Sequence, residues 1–262
     1  MKAAIVTYLA TEDYIPGVLA LANSISIHVP GSEFIILIAE NAASLKCKKI
    51  FQQRDIKFRV VSEVVNPYIL PKEIDRYKHT YTKFRVFEMY DYEKVIYLDA
   101  DMIVCNDISD LFNKPHLSAV NAGGLKIQEW VDLNSGLMVI EPNESLFEDI
   151  LKHIPLICSK DGGDQGFFQS YFKNWSTTPR LRLDHGYNVP FGMLQTYVEE
   201  FGFRFKYKNG VLNTNISIVH FWGIPKPWHT RPGIEDSDDP TDVQVLRLWW
   251  DMLLSPGSSL LS

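Results

Sequence analysis

Two carboxylates stand one residue apart directly after an apolar segment. Asp99 and Asp101, separated by Ala100, follow residues 94–98, whose composition is typical of a buried strand. Two carboxylates at such a strand end are costly unless a cation lies beside them. Mg²⁺ and Mn²⁺ accept these oxygen ligands, above all where substrate phosphates complete the coordination. The pair therefore predicts a divalent cation site, with an exposed acidic turn as the structural alternative.

Further candidates lie at the end of a second apolar segment, residues 216–221, and in the loop after it. His220 offers an imidazole nitrogen, which suits Mn²⁺ better than Mg²⁺. Its structural alternative is a core histidine with satisfied hydrogen bonds. Gly223 permits close approach of the backbone to a ligand. Lys226 lies between two prolines, in a stiffened turn suited to a phosphate oxygen.

Two polar segments in the middle of the chain could contact a sugar. Asn134 and Ser135 precede a predicted strand, where amide and hydroxyl groups could bind sugar hydroxyls. Asp161 and Asp164 flank two glycines that let the backbone bend around a ligand. Asp164 is also a good N-cap residue for the helix predicted from Gln165, so a purely structural role stays open.

Alternating strands and helices must position these residues. The predicted strands cover residues 3–8, 34–38, 58–61, 94–98, 137–140 and 216–221. The first predicted helix begins near Pro16 and is stopped by Pro30 and Gly31, and a mostly helical segment after the second strand ends near Arg54. Further predicted helices cover residues 81–90, 145–153, 165–172 and 243–254. This alternation predicts an α/β fold with a mainly parallel central sheet. In such sheets ligands bind beyond the carboxyl ends of the strands, which directs attention to the residues after Tyr8, Leu98 and Phe221.

Composition and charge exclude several classes of protein. Of 262 residues, 46% are apolar and 22% are charged, which is typical of a folded domain. The net charge is −6 and basic residues form no stripe, so neither nucleic acid nor an anionic membrane is an expected partner. The apolar segments are too short to span a membrane, and residues 3–10 run into Glu12 and Asp13, unlike a signal peptide. We expect a cytoplasmic protein with one domain, residues 1–254, and a flexible tail, residues 255–262.

Five segments, in this order, resemble the glycogenin branch of family 8 glycosyltransferases. They are TKF (82–84), DAD (99–101), NSGLMVI (134–140), DGGDQG (161–166) and HFWGIPKPW (220–228). The resemblance extends over residues 1–253, and galactinol synthases share these motifs. It implies a single GT-A (Rossmann-like) domain that binds a nucleotide sugar. It also implies retaining transfer of a hexose, glucose or galactose, from a UDP-sugar, with Mn²⁺ or alternatively Mg²⁺ as cofactor.

The resemblance assigns a role to each candidate residue. The metal ligands would be Asp99, Asp101 and His220, with Ala100 beside the donor. Gly223 and Lys226 would contact the diphosphate. Lys83 would lie near both the diphosphate and the donor sugar. The residues that contact uridine would be Leu9, Thr11 and Tyr14, the last by stacking on the base. The donor sugar would be lined by Asn134, Ser135, Asp161, Asp164 and Gln165.

Asp164 and Gln165 are the catalytic candidates of this assignment. Asp164 would accept hydrogen bonds from sugar hydroxyls or act as a nucleophile, and Gln165 would stabilise an oxocarbenium-like state. Retention can arise by double displacement, which needs a carboxylate beneath the anomeric carbon, or by front-side attack. We favour front-side attack, in which the leaving phosphate removes the acceptor proton.

One departure from the resemblance concerns the acceptor. The tyrosine that glycogenin glucosylates lies eight residues after a Tyr-Asn pair, matched here by residues 187–188, and that position holds Gln195. Tyr197 would serve only in a different local register. We therefore expect a separate acceptor, a glycan, a protein or a polyol, bound by residues 187–205 and 230–242. A homodimer is compatible with the resemblance.

Two alternative functions compete with the transferase. A protein of this fold could bind a nucleotide sugar without turning it over. A haloacid-dehalogenase-type phosphatase also has an Asp-x-Asp motif after an apolar strand, but its pattern expects Thr or Val where Ile103 stands. It also expects a downstream acidic pair, which does not follow Asp164. A NAD(P) enzyme is not expected, because no G-x-G-x-x-G motif follows the first strand.

Overall fold

A computed structural model describes residues 1–68, 77–124, 130–231 and 240–255. In these residues the strands are β1 Ala3–Leu9, β2 Phe34–Ala39, β3 Lys57–Val61, β4 Lys94–Leu98, β5 Met102–Val104, β6 Leu137–Ile140, β7 Val189–Pro190, β8 Phe205–Lys208, β9 Val211–Thr214 and β10 Ile218–His220. The α-helices are α1 Ile15–His28, α2 Leu45–Gln52, α3 Glu144–His153, α4 Asp164–Tyr171, α5 Leu194–Phe201 and α6 Thr241–Leu254.

The chain folds into two compact units. The first unit comprises Met1–Glu12, Glu33–Leu98 and Leu111–Leu183. The second unit comprises Asp13–Ser32, Asp99–Asp110 and Asp184–Ser262. The first unit contains a five-stranded sheet, the second unit contains a three-stranded and a two-stranded sheet, and each unit has its own cluster of polar side chains.

The sheet of the first unit has the strand order β3-β2-β1-β4-β6. Four of its strands run parallel, and β6 pairs antiparallel with β4. Every residue of β4 and β6 is buried, as are all but the first residues of β1 and β2. Continuous burial requires cover on both faces of a sheet, which explains the uninterrupted apolar segments of the sequence. The predicted α/β fold with a mainly parallel central sheet is confirmed.

The second unit is built around a three-stranded sheet with the order β5-β10-β7. Helices α1 and α6 pack together in this unit, where the Asn23 amide donates to the Met252 carbonyl at 2.7 Å. Trp249 of α6 is fully buried and lies 5.8 Å, between ring centroids, from Trp228. The closing helix predicted from the sequence is therefore a core element. Among the described residues, no helix is both long enough and apolar enough to cross a bilayer.

The helix predicted over residues 81–90 is wrong in type. Thr80–Glu88 forms a 3₁₀-helix. At three residues per turn, Tyr81, Phe84 and Phe87 are eclipsed on one side, and all three are fully buried. Phe84 packs against Phe168 of α4, with ring centroids 4.6 Å apart. In an α-helix each ring would be offset from the previous one by about 60°, so the tighter helix aligns the three rings better towards the core.

Three other expectations need adjustment. Gly163, not Asp164, is the N-cap of α4, so the capping role considered for Asp164 is wrong. The strand predicted over residues 216–221 is shorter, Ile218–His220. Of the predicted acceptor segment 230–242, residues 232–239 lie outside the described residues and α6 already begins at Thr241; the predicted tail lies outside them from residue 256.

Gly17 in α1 allows close contact with the segment between the two carboxylates. A Cβ at this position would lie 2.4 Å from the Ala100 carbonyl oxygen and 2.9 Å from the Trp228 ring. We expect Gly17→Ala to lower the free energy of unfolding by about 1–3 kcal/mol, because backbone cannot move aside as a flexible side chain can. Urea denaturation measures the change. Gly192→Ala is the control, since nothing lies within 4 Å of its added Cβ; equal effects of the two substitutions would contradict the prediction.

Candidate functional site

The second unit brings the three predicted metal ligands together. One ligand atom each from Asp99, Asp101 and His220 lie within 4.8 Å of one another. Strand pairing explains this, because β10 runs antiparallel to β5 with His220 opposite Met102, the residue after Asp101. The amide of Phe221 also donates to the Asp101 carbonyl at 2.8 Å. The register of two short strands therefore places an imidazole beside two carboxylates that lie far away in sequence.

Hydrogen bonding orients the imidazole of His220. Its Nδ1 lies 2.9 Å from the Asn188 carboxamide oxygen, and its Nε2 lies 3.2 Å from Asp101 Oδ1 and 3.9 Å from Asp99 Oδ2. The contact of Nδ1 with an amide oxygen fixes the orientation of the ring and turns Nε2 towards the carboxylates. Asn188 precedes β7, which pairs parallel with β10. Two carboxylates and one imidazole fit a first-row divalent cation such as Mn²⁺.

Lys226 lies against the same carboxylate. Its Nζ is 2.5 Å from Asp101 Oδ2 and 3.0 Å from the Phe221 carbonyl oxygen. Burial alone would raise the pKa of Asp101, but the charges and hydrogen bonds of His220 and Lys226 outweigh it and hold that pKa below its ordinary value. Burial alone would lower the pKa of Lys226, but Asp101 and then Tyr14 outweigh it and raise that pKa.

Tyr14 completes the cluster of the second unit. Lys226 Nζ lies 5.4 Å from the centroid of its ring, and Trp228 packs edge-on against the ring at 5.2 Å. Burial, followed by the charge of Asp101, raises the pKa of the Tyr14 hydroxyl. Gly223, in the loop before Lys226, has φ +87°, a left-handed conformation that favours glycine. Ala100, which separates the two aspartates in the sequence, is almost fully buried.

The first unit holds a second buried cluster. Asp164 Oδ2 accepts from Lys83 Nζ at 2.6 Å and from Ser135 Oγ at 2.7 Å. Lys83 is 6% exposed and Asp164 is 8% exposed, so the ion pair is shielded from water. The Ser135 amide lies 3.4 Å from the carboxamide oxygen of Gln165, which is in the first turn of α4. Four predicted donor-sugar residues, from three separate segments, therefore form one network.

Asp161 organises the loop that carries Asp164. Its Oδ1 accepts from the amides of Gly163 at 2.9 Å and Gly166 at 3.0 Å, and from the Ser159 hydroxyl at 2.8 Å. A Cβ on Gly166 would lie 2.4 Å from that oxygen, so only glycine fits there without a shift. The observed contacts of Asp161 are thus those of a residue that fixes the start of α4, whereas the resemblance assigns it to the donor sugar.

The other residues assigned by resemblance lie in the first unit. Leu9 is fully buried at the end of β1, which leaves its backbone as the group that could contact a nucleoside. Thr11 is partly exposed after the same strand. The Asn134 side-chain oxygen accepts from the Gly136 amide at 2.9 Å, which shapes the entry to β6.

Sequence reasoning missed the role of Asn188. In the sequence Asn188 stands out only as part of the Tyr-Asn pair. Its contact with His220 joins residues separated by 32 positions. The predicted strand 216–221 placed His220 at a strand end, but the strand that becomes its neighbour has only two residues, Val189–Pro190. Such a short strand has no periodic pattern to detect.

Comparison with known proteins identifies the family. Residues 5–231 match the sequence profile of glycosyl transferase family 8. The chain belongs to this family. The predicted family and its α/β fold are therefore confirmed, and membership argues against the phosphatase alternative. The roles assigned to single residues and the boundary at residue 254 stay predictions.

Relatives within family 8 include proteins of different activity. The chain is 32% identical to inositol phosphorylceramide glucuronosyltransferase 1 of Arabidopsis thaliana, covering 87% of this chain and 42% of that protein. It is 29% identical to glycogenin-1 of Mus musculus, covering 95% of this chain and 74% of that protein. The chain thus spans less than half the length of the plant relative.

Two solved glycosyltransferases share the fold. The apo form of GlyE from Streptococcus pneumoniae TIGR4 has a TM-score of 0.64 at 18% identity, over 99% of this chain and 62% of that chain. The galactosyltransferase LgtC, in complex with donor and acceptor sugar analogues, has a TM-score of 0.58 at 14% identity, over 95% of each chain. At these identities the likeness extends to the fold of this family 8 chain and no further.

The buried ion pair of Lys83 and Asp164 predicts strong energetic coupling. We expect Lys83→Met and Asp164→Asn each to lower the free energy of unfolding by about 3–5 kcal/mol, because each leaves one buried charge without its partner. The double variant should lose clearly less than the sum of the two. Urea denaturation of the four proteins gives the coupling energy.

An exposed ion pair of the same unit serves as the control. Lys57 and Glu33 lie 2.8 Å apart, with the Lys57 side chain 69% exposed. Lys57→Met and Glu33→Gln should couple by about 0–1 kcal/mol. A coupling of Lys83 with Asp164 no larger than this value would contradict the prediction.

The contact of Asn188 with His220 predicts a role in metal affinity. We expect Asn188→Ala to weaken Mn²⁺ binding by about 10–100-fold, because the imidazole loses the acceptor that fixes its tautomer and ring orientation. Isothermal titration calorimetry measures the affinity, and ¹⁵N NMR of the imidazole reports the tautomer. Tyr187→Phe is the control, since it removes only the neighbouring hydrogen bond to Asp110. Unchanged affinity in Asn188→Ala would refute the assignment.

Proposed function

We propose that this family 8 member is a retaining glycosyltransferase that transfers a hexose from a UDP-sugar to a separate acceptor. The observation that carries the proposal is the convergence of Asp99, Asp101 and His220 within 4.8 Å, with Lys226 on the Asp101 carboxylate. A divalent cation bound by these ligands would act as a Lewis acid on the donor diphosphate. Mn²⁺ is the proposed ion, because an imidazole ligand suits it better than Mg²⁺.

The cluster around Asp101 in the second unit would bind the diphosphate of the donor. Lys226 would donate hydrogen bonds to a phosphate oxygen and neutralise negative charge as the glycosidic bond breaks. Gly223 gives the preceding loop its left-handed turn at φ +87°, and the space where its side chain would lie is open, since nothing lies within 4 Å of an added Cβ. Tyr14, partly exposed and braced edge-on by Trp228, would present a ring face to the uracil base.

The first unit would act on the sugar. The resemblance assigns Asp164 and Gln165 to the reacting centre, and the contacts of Asp164 bear on how it could act. Its Oδ2 already accepts from an ammonium and from a hydroxyl, both of which reduce the nucleophilicity of a carboxylate oxygen. This supports a role in binding sugar hydroxyls rather than in forming a covalent intermediate.

Front-side attack is the mechanism that fits these contacts. The bond between the anomeric carbon and the phosphate oxygen breaks, and its electron pair goes to that oxygen. The acceptor hydroxyl forms the new bond on the same face and passes its proton to the departing phosphate. Gln165 would stabilise the positive charge that develops on the sugar through its carboxamide oxygen.

The acceptor is proposed to be a separate molecule, a glycan, a protein or a polyol. Gln195 occupies the position that matches the glucosylated tyrosine of glycogenin, and its amide donates to Glu199. Tyr197, two residues later, is only 2% exposed and packs against His185 and Phe201. This burial supports a separate acceptor rather than Tyr197.

Release of UDP from a panel of UDP-sugars, with Mn²⁺ or with EDTA and no added acceptor, tests the proposal. We expect metal-dependent release from one UDP-hexose above the others. Asp101→Asn should lower it by more than about 100-fold, since a Lewis acid supplies several kcal/mol of stabilisation. Asp110→Asn, an exposed carboxylate of the same unit, is the control. UDP-glucuronate belongs in the panel, because the Arabidopsis relative is named as a glucuronosyltransferase.

Thermal shift on the same samples separates the alternatives. Stabilisation by UDP that needs Mn²⁺, without release from any sugar, would favour a protein that only binds the nucleotide sugar. Absence of any stabilisation would overturn the nucleotide-sugar assignment. An increase in the mass of the protein would instead show self-glycosylation and contradict the proposal of a separate acceptor.

A further inference from the structure

The carboxylate of Asp101 contacts two side chains, the ammonium of Lys226 and the imidazole of His220. Lys226 Nζ contacts its Oδ2 at 2.5 Å, and His220 Nε2 contacts its Oδ1 at 3.2 Å. Asp101 is 7% exposed and Lys226 is 6% exposed, so water screens this pair little. The carboxylate that the proposed function assigns to the metal is therefore also the carboxylate that holds the lysine.

The ammonium of Lys226 opposes a cation that arrives alone. Asp99 and Asp101 carry two carboxylates, and Lys226 already offsets the negative charge of one of them. A divalent cation brings two positive charges beside the ammonium on one buried carboxylate. In a poorly screened environment such like charges repel strongly. A diphosphate removes the conflict, because its oxygens supply negative charge to the metal and to Lys226 together.

We propose that Lys226 couples the metal to the nucleotide: it weakens binding of the divalent cation alone and strengthens binding of the cation together with a diphosphate. This inference rests on the proposed function. It adds that Lys226 lowers the affinity for the cation alone and raises the affinity for the cation together with a diphosphate. By linkage, UDP raises the affinity for the cation by the same factor by which the cation raises the affinity for UDP. The protein would thus take up the two as one unit and retain neither well alone.

The test measures Mn²⁺ binding with and without UDP. Electron paramagnetic resonance measures the concentration of free Mn²⁺ during a titration and so gives the affinity for Mn²⁺. It is applied to three proteins: the natural chain, Lys226→Met and Lys226→Arg. Without nucleotide, we expect Lys226→Met to bind Mn²⁺ roughly tenfold more tightly, because one buried positive charge is gone. Saturating UDP should tighten Mn²⁺ binding about 5–150-fold in the natural chain and clearly less in Lys226→Met. Lys226→Arg retains the charge and should bind Mn²⁺ alone like the natural chain.

Two controls isolate the charge of Lys226 and the diphosphate. Lys206→Met removes an exposed lysine of the same unit and should leave all affinities unchanged. Uridine, which lacks phosphate, should not tighten Mn²⁺ binding in any variant. Thermal unfolding with and without Mn²⁺ shows whether Lys226→Met is folded, and Mn²⁺ should stabilise it more than it stabilises the natural chain.

The outcomes distinguish this inference from the proposed function. If the natural chain binds UDP with Mn²⁺ but Lys226→Met binds Mn²⁺ alone no more tightly, the inference is wrong and the proposed function stands. If the natural chain binds neither Mn²⁺ nor UDP, both are wrong. A gain in affinity for Mn²⁺ alone, together with a loss of coupling to UDP, supports the inference, since a lysine that merely held the loop would not produce opposite effects.

Discussion

A buried carboxylate that needs positive charge is the constraint on which the second unit depends. Asp101 meets this need with Lys226 on one oxygen and the imidazole of His220 on the other. Antiparallel pairing of β5 with β10 brings the imidazole to it, and the contact of the Ala100 carbonyl with α1 requires glycine at position 17. Backbone geometry thus fixes the site before any ligand binds, which is the preorganisation that electrostatic catalysis requires.

The first unit also contains a buried carboxylate, Asp164, that needs positive charge. Lys83 neutralises Asp164, and the Ser135 hydroxyl adds a second donor to the same oxygen. The 3₁₀-helix that carries Lys83 is held by the buried rings of Tyr81, Phe84 and Phe87. An aromatic core therefore determines where the ammonium lies. A buried pair of this kind adds little net stability, but removing one partner is expensive, which makes both residues hard to replace.

The two clusters suggest how one family can serve different substrates. Under the proposed function, the carboxylates, imidazole and lysine of the second unit would bind the metal and the diphosphate, which are common to every UDP-sugar. The family 8 relatives have different names, one a glucuronosyltransferase and one a glycogenin. Specificity for the sugar and the acceptor would then come from other groups, among them the cluster around Asp164 and side chains on loops.

The sequence by itself determined the α/β class and the strands β4 and β6, and it predicted the carboxylates of a metal site, because apolar runs and an Asp-x-Asp motif are local signals. It also indicated the family through five ordered segments. Tertiary structure decided that Thr80–Glu88 is a 3₁₀-helix, that Gly163 rather than Asp164 caps α4, and that Asn188 orients His220. These features depend on packing and on contacts between distant residues, which no local pattern encodes, since the stabilising partner is absent from the neighbouring sequence.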